Sequence, residues 1–534
     1  MTPRLRALVP AALLCLGTLP LAAQSAPRPP SAAAVRRAVE AITEADVRAR
    51  ISVIADDSMR GRATPSPELD ETAAYIAGQF RAFGLRPGGD SGTFFQRYRI
   101  RRTLVDSSSF VMLMGRGATS RLALGREAAA IAPLPVSDST VTAPAVLVVG
   151  MPSDTAQPFG GVDVRGAILV LELPLSALMN RRNILPFVTQ AMAAGASGIV
   201  VLANVPSTLI AAQGRNLLAP QYALDVPQNA GPAPIPLLIA RDSSAIEVLR
   251  AAGEDLAALR DSTAHGVRPL NGVTVTISAR RRVIGEATAP NVVGVLEGSD
   301  PQLRNEYVFF TGHMDHIGVV GGGQGCAAIG ADSICNGADD DASGTIGVVE
   351  LAQAFSRLTP HPRRTLVFMT VSGEERGLWG SNWYVEHPEF PLAQTVADLN
   401  MDMIGRYYDN RPGWRDTIVA IGKEHSSLGA VANQVTHEHP ELSMRLIDDI
   451  WPDQNFYRRS DHFNFARKGV PILFFFNGTH PDYHRAGDSV DKIDAEKEAR
   501  IVRMVFYVGL EVANATARPQ WNPESRREIV EPGN

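Results

Sequence analysis

The chain reads Tyr307-Val308-Phe309-Phe310, then Thr311-Gly312-His313-Met314-Asp315, and later Asn336-Gly337-Ala338-Asp339-Asp340-Asp341-Ala342-Ser343-Gly344. An apolar run of strand length thus ends in a histidine and an aspartate, and three aspartates open the segment that follows. That segment, Ser343 to Leu358, turns Ile346, Val349, Leu351, Phe355 and Leu358 toward a core, with Ser343 expected as its N-cap. The unit recurs downstream. Thr365 to Val371 runs into Ser372-Gly373-Glu374-Glu375-Arg376-Gly377-Leu378, and another block reads Asn400-Met401-Asp402-Met403-Ile404-Gly405. Val470 to Phe476 leads to His480-Pro481-Asp482-Tyr483-His484. Continuous apolar runs suit a sheet buried on both faces. Their alternation with amphipathic helices predicts an α/β domain, a mixed sheet flanked by helices, whose ligands sit where strands end.

Outward from this stretch the chemistry thins. Ten of the eleven histidines lie after residue 300, and from about Leu104 to Ser278 His265 is the only one. There, short runs such as Ala145 to Val149, Ala167 to Leu171, Gly198 to Leu202 and Ile235 to Ile239 alternate with Pro, Gly and Asp clusters. We read this stretch as a β-rich module with little chemistry of its own. Before it, Ile42 to Asp56 reads as a helix. Glu68 to Phe83 is a clearer one, because Leu69, Ala73, Ile76, Phe80 and Phe83 form a single apolar face that Gly84 ends. An Ala/Pro/Ser leader to about Ala34 is expected to lack structure. Arg4 and Arg6 precede an apolar run, Ala7 to Leu21, that ends in Ala22 and Ala23, the pattern of an export signal over residues 1–23.

The 534 residues are enough for two to four domains, and 45% hydrophobic with 20% charged residues excludes a disordered or fibrous chain. A net charge of −5 excludes a generally basic nucleic-acid binder. Only four of the 51 basic residues are lysines (Lys423, Lys468, Lys492, Lys497), a bias that points to a GC-rich bacterial genome. Removing the signal also removes Cys15 and leaves Cys326 and Cys335. In an oxidising compartment this pair reads as a disulfide closing a surface loop, and its spacing fits no common zinc motif.

The blocks at the strand ends each deliver a histidine or a carboxylate. Brought to one rim they would repel one another, and divalent cations resolve that conflict. Imidazole and carboxylate donors without thiolate suit catalytic zinc. An aspartate at a helix entry between two strand ends is placed to bridge two ions. Of Glu374 and Glu375, one would bind metal while its neighbour takes a proton.

The ordered blocks H-x-D, G-A-x-D-D-x-S-G, E-E-x-G-L-x-G-S, N-x-D-M-x-G and Y-H followed by an Asp resemble metallopeptidase family 28, the co-catalytic zinc aminopeptidases and carboxypeptidases. The resemblance implies two Zn2+: His313 and Asp402 on one, Glu375 and His484 on the other, Asp340 between them. It also implies Glu374 as general base and acid, Tyr483 as donor to the developing oxyanion, and Asp315 behind His313, accepting its other ring N–H. Asp339 departs from the asparagine common there. Val162-Asp163-Val164-Arg165-Gly166, Ala193-Ala194-Gly195-Ala196-Ser197-Gly198 and Ile235-Pro236 resemble a protease-associated (PA) domain, with Ala167 departing from its usual lysine.

The sequence therefore predicts a zinc exopeptidase-like fold (phosphorylase/hydrolase-like) with an inserted PA-like module. The expected divisions are 35–103 and 279–517 for the peptidase domain, 104–278 for the insert and 518–534 for a tail. The expected activity is that of a secreted or periplasmic aminopeptidase acting on peptides, with no nucleic-acid partner and no stable membrane anchor after signal cleavage. A carboxypeptidase or dipeptidase, a single-zinc glutaminyl cyclase, or a receptor-like binding protein are the alternatives. His316, His462 and His480 read as residues of the mouth or behind the ligands. The loop Leu442 to His462, with Asp453, Tyr457, Arg458, Arg459 and Asp461, reads as a pocket wall or a solvated loop.

Overall fold

The computed structural model describes residues 29–130, 140–150, 157–173, 181–225, 235–260, 265–322 and 324–531. The expected export signal over 1–23 lies outside them. Among the described residues two sheets organise the chain. The larger runs in the order Arg445–Ile447, Thr417–Ile421, Ile472–Phe476, Thr395–Met401, Tyr307–His313, Thr365–Val371, Arg281–Leu296, Phe95–Val105 and Gln221–Leu224, with Arg86–Pro87 added beside Arg281–Leu296. Its four central strands, Ile472–Phe476, Thr395–Met401, Tyr307–His313 and Thr365–Val371, are parallel. Their carboxyl ends therefore open on one edge of the sheet.

Alternation along these strands sorts side chains between two cores. Phe310, Phe368, Leu399 and Leu473 face one side, and Phe309, Val367, Phe474 and Phe476 the other. On the first side lie the helices Pro67–Ala82, Gly344–Ser356 and Ala495–Asn514, with Phe310 stacked on Phe368 and Phe355 on Phe506. On the second lie Trp379–Glu386 and His462–Arg467, whose Tyr384 and Phe465 pack on Phe309. Burying each such ring stabilises the fold by about 1.5–3 kcal/mol.

The helix Gly344–Ser356 departs from the amphipathic expectation. Every residue from Gly344 to Phe355 is buried, because the sheet covers one flank and the helices Ala495–Asn514 and Glu44–Ile54 cover the other. Ser343 does not cap it. Its backbone is already helical, its hydroxyl donates to Asp339 and accepts from the Ile404 N–H, and the Asp341 carboxylate takes the Gly344 N–H instead. The leader also gains structure earlier than expected: Ser31 caps a helix over Ala32–Val39 whose Ala34, Ala38 and Val39 are buried. Residues near the carboxyl end dock as well, since Trp521 donates to the Gly469 carbonyl and Glu531 pairs with Arg467 and Lys468.

The second sheet has eight strands, and its middle is parallel: Thr140–Val149, Ile168–Leu173, Gly198–Ala203 and Leu237–Arg241. The helices Arg181–Ala193 and Ser207–Leu218 lie between those strands in the chain, so the texture is α/β rather than purely β. Two apolar cores flank the sheet. One strand of this stretch leaves it: Gln221–Leu224 pairs antiparallel with Phe95–Val105 of the larger sheet.

Cys326 and Cys335 form a disulfide in the loop between His313 and Asp340. Within that loop the Ala327 N–H reaches the His484 carbonyl, and the Ala327 carbonyl accepts from Ala486. Replacing both cysteines by serine is expected to lower stability by about 2–3 kcal/mol, the loop-closure entropy of so short a ring. Denaturant melts of the oxidised parent and the double variant check this, and equal midpoints would contradict it.

Candidate active site

The parallel strand ends bring the charged blocks together. His313 closes Tyr307–His313, Asp402 follows Thr395–Met401, and Glu374 and Glu375 follow Thr365–Val371. Tyr483 and His484 lie beyond Ile472–Phe476, and Asp340 sits in the turn that enters Gly344–Ser356. His313 Nε2 lies 3.4 Å from Asp340 Oδ1 and 3.7 Å from Asp402 Oδ2. His484 Nε2 lies 3.3 Å from both Asp340 Oδ2 and Glu375 Oε2. The two Asp340 oxygens thus face different groups, which is the disposition of a shared carboxylate.

These donors fit divalent cations better than they fit one another. Asp340 Oδ2 and Glu375 Oε1 are buried and accept no hydrogen bond, although imidazoles stand close by. His313, Asp340 and Asp402 form one group whose ligand atoms lie within 4.8 Å of each other, and a second such group shares Asp340. Nitrogen and oxygen donors aimed at a common point, with no thiolate, suit zinc.

The two adjacent glutamates differ electrostatically. Burial, reinforced by Glu375, raises the Glu374 carboxyl well above its ordinary range. For Glu375 burial and the Asp340 charge also push upward, but the nearby imidazoles of His316 and His484 outweigh them and lower the group. One glutamate is held ready to carry a proton and its neighbour to stay ionised. Burial raises the Tyr483 hydroxyl, followed by Asp340, Glu375 and Glu374, so it stays protonated.

Behind the rim, the three consecutive aspartates point in three directions. Asp340 faces the site. Asp341 accepts the N–H groups of His313, Gly344 and Met403, tying two ligand-bearing strand ends to the helix entry. Asp339 accepts from Gly405 N–H and faces His480 Nε2 at 3.3 Å. Asp488 accepts the N–H groups of Asp339 and Asp340. The peptide between Asp340 and Asp341 is cis.

Residues 291–509 match the model described as peptidase family M28. That match spans the strand ends and the turn that carry the charged blocks. The chain is 26% identical over 290 residues to a probable zinc metalloprotease of Pyrenophora tritici-repentis, an alignment covering 46% of this chain and 58% of that one. It is 29% identical over 247 residues to a probable glutamate carboxypeptidase of Arabidopsis thaliana, covering 42% and 32%. The chain thus spans less than two thirds of either relative. The aminopeptidase from Aneurinibacillus sp. strain AM-1 shares the fold, with a TM-score of 0.52 at 18% identity over 92% of this chain and 98% of that one.

Within the matched region, Asp315 sits behind His313 in a different manner from the one expected. His313 Nδ1 is 3.2 Å from the Asp315 main-chain carbonyl and 3.7 Å from its carboxylate. The carboxylate instead accepts from the Thr64 hydroxyl and the Glu374 N–H, so it positions the glutamate strand end. His462 is structural: it stacks on Phe474, lies 2.8 Å from the Tyr457 carbonyl through Nε2, and burial depresses it to about 3. His480 belongs to the Asp339 network. The loop after Leu442 divides: Phe456, Arg459 and Ser460 line the pocket with Tyr483, whereas Asp453 is exposed and Asp461 is buried against Ser381.

Arg62 and Thr64 carried no signal in the sequence reading, because both act from far upstream. The buried Arg62 guanidinium donates to the carbonyls of Ile54, Met314, Asn336, Gly337 and Asp340. Thr64 also accepts the Gly373 N–H. Only spatial contact reveals either.

Proposed function

We propose that this chain is an exported zinc-dependent exopeptidase that removes amino-terminal residues from peptides. The convergence of His313, Asp402, Glu375 and His484 about Asp340, beside a pocket that Glu374 and Tyr483 line, carries the reading. His313 and Asp402 would hold one zinc, Glu375 and His484 the other, and Asp340 both. Zinc bound there supplies Lewis acidity to a scissile carbonyl and makes water a better nucleophile at neutral pH. Glu374, with its raised pKa, takes a proton from the attacking water and returns it to the leaving nitrogen. Tyr483 stays protonated and donates its hydroxyl to the oxygen on which charge develops.

The charge and shape of the pocket support amino-terminal trimming. Asp340 and Asp402 go to the cations, which leaves Glu374 as the lining carboxylate that can face a substrate ammonium and Arg459 as the lining arginine. Met403, Phe456, Phe474 and Phe476 give an apolar wall that suits an apolar side chain. Arg459 is the observation that favours the second reading, a carboxypeptidase, because a guanidinium grips a carboxylate in a fork. Arg458 is not among the residues that line the pocket, and its guanidinium lies over the Phe463 ring.

Export is supported by the amino-terminal pattern and by the Cys326–Cys335 disulfide, which suits an oxidising compartment. No helix among the described residues is long and apolar enough to cross a membrane. We read residues 104–278 as a PA-like module inserted between 35–103 and 279–517, with 518–534 as a tail. Its separate cores support that division.

A panel of reporter peptides, blocked at one end or the other, tests the function. Cleavage only of substrates with a free amino terminus is expected. Cleavage that needs a free carboxylate would establish the carboxypeptidase reading, and one zinc per chain by elemental analysis would favour a cyclase.

A further inference from the structure

His316 lies three residues beyond His313, and its ring is fully buried. Its Nδ1 stands 2.7 Å from Glu375 Oε1 and 3.7 Å from Asp340 Oδ2, yet neither ring nitrogen has a hydrogen-bond partner of acceptable geometry. The ring meets His484 edge-on, with centroids 5.8 Å apart, so two imidazoles approach the Glu375–Asp340 pair from different sides. His484 addresses Glu375 Oε2, and His316 addresses Oε1.

The surroundings leave this imidazole its place. Gly337 adopts a left-handed backbone, with φ at +57°, and a β-carbon there would lie 2.5 Å from His316 Cγ. The His316 N–H reaches the Arg62 carbonyl, and an isolated β-bridge joins His316 to Ala63, so the main chain around the ring is held in place.

Resting on the two-zinc reading above, we infer that His316 is a fourth protein donor to the cation shared by Asp340, Glu375 and His484. The two positions then differ in kind. His313, Asp402 and Asp340 offer three donors and leave room for water or substrate, while the other position is closed by four, as in zinc sites built for retention. One cation is held firmly, and its neighbour exchanges more readily.

Elemental analysis of the full chain after dialysis against a graded series of chelator strengths tests this, using Zn2+ and, for spectra, Co2+. The parent is expected to lose one cation well before the other. In His316→Ala the retained cation should leave at roughly 10–100-fold weaker chelation, the loss typical when support of a metal site is removed, and X-ray absorption should count one imidazole fewer per chain. His316→Asn separates the roles, since asparagine can still hydrogen-bond Glu375 but is a poor zinc ligand. Parent-like retention in His316→Asn, or an unchanged imidazole count in His316→Ala, would overturn the inference. A parent chain that binds a single cation would overturn the two-zinc reading, and whether that cation weakens in His316→Ala would still decide the role of His316.

Discussion

Glu374→Gln is expected to reduce turnover by about 10²–10⁴-fold while both cations stay bound. The substitution keeps the side-chain volume and removes only the ability to accept and return a proton. The structure gives reason to expect so clean a separation. The Glu374 N–H is fixed by the Asp315 carboxylate, and Asp315 is itself held by Thr64, so the strand end does not depend on the Glu374 carboxylate for its position. Glu375, which faces His316 and His484, remains untouched. Steady-state rates on the preferred reporter peptide, measured beside elemental analysis of the same preparation, check the result. Near-parental activity would remove Glu374 from the reaction, and loss of a cation would make it a ligand rather than a base.

How far the sequence discloses this site follows from where each contribution originates. The convergence of the charged blocks is legible because parallel strands force each block to a carboxyl end, and an apolar run followed by His or Asp marks that end in one dimension. Tyr307 to Phe310 before His313, and Val470 to Phe476 before Tyr483 and His484, are such marks. The helix entry was half legible. The aspartate run was visible, but which aspartate faces the cations depends on backbone direction through the 340–341 peptide, and the capping task passes from Ser343 to Asp341. Spacing alone cannot say that Gly337, twenty-one positions after His316, leaves room for that buried ring beside Glu375. In the second sheet, the pairing of Gln221–Leu224 with Phe95–Val105 was illegible for a related reason, since a four-residue strand has no periodicity of its own to reveal its partner.

Arg62→Leu is expected to cost at least about 3–5 kcal/mol of stability, a large share of what a typical domain possesses. The side chain is inaccessible to solvent, and its guanidinium joins the carbonyls of Ile54, Met314, Asn336, Gly337 and Asp340. Those carbonyls come from the amino-terminal helix region, the His313 strand end and the bridging-aspartate turn, segments that converge only here. Leucine would leave them unpaired, and each bare buried acceptor costs about 1–3 kcal/mol before relaxation. Charge adds to this: Asp315, Asp340, Asp341 and Asp488 all act on Arg62, and burial alone lowers its pKa, so without its cation the acidic cluster would repel itself. Lysine would restore the charge but not the planar fork, so Arg62→Lys should recover only part of the loss. Denaturant melts of the zinc-loaded parent and both variants decide the matter. A leucine variant within about 1 kcal/mol of the parent would mean that water or rearranged main chain satisfies those carbonyls, and that the amino-terminal segment reaches the site without needing this arginine.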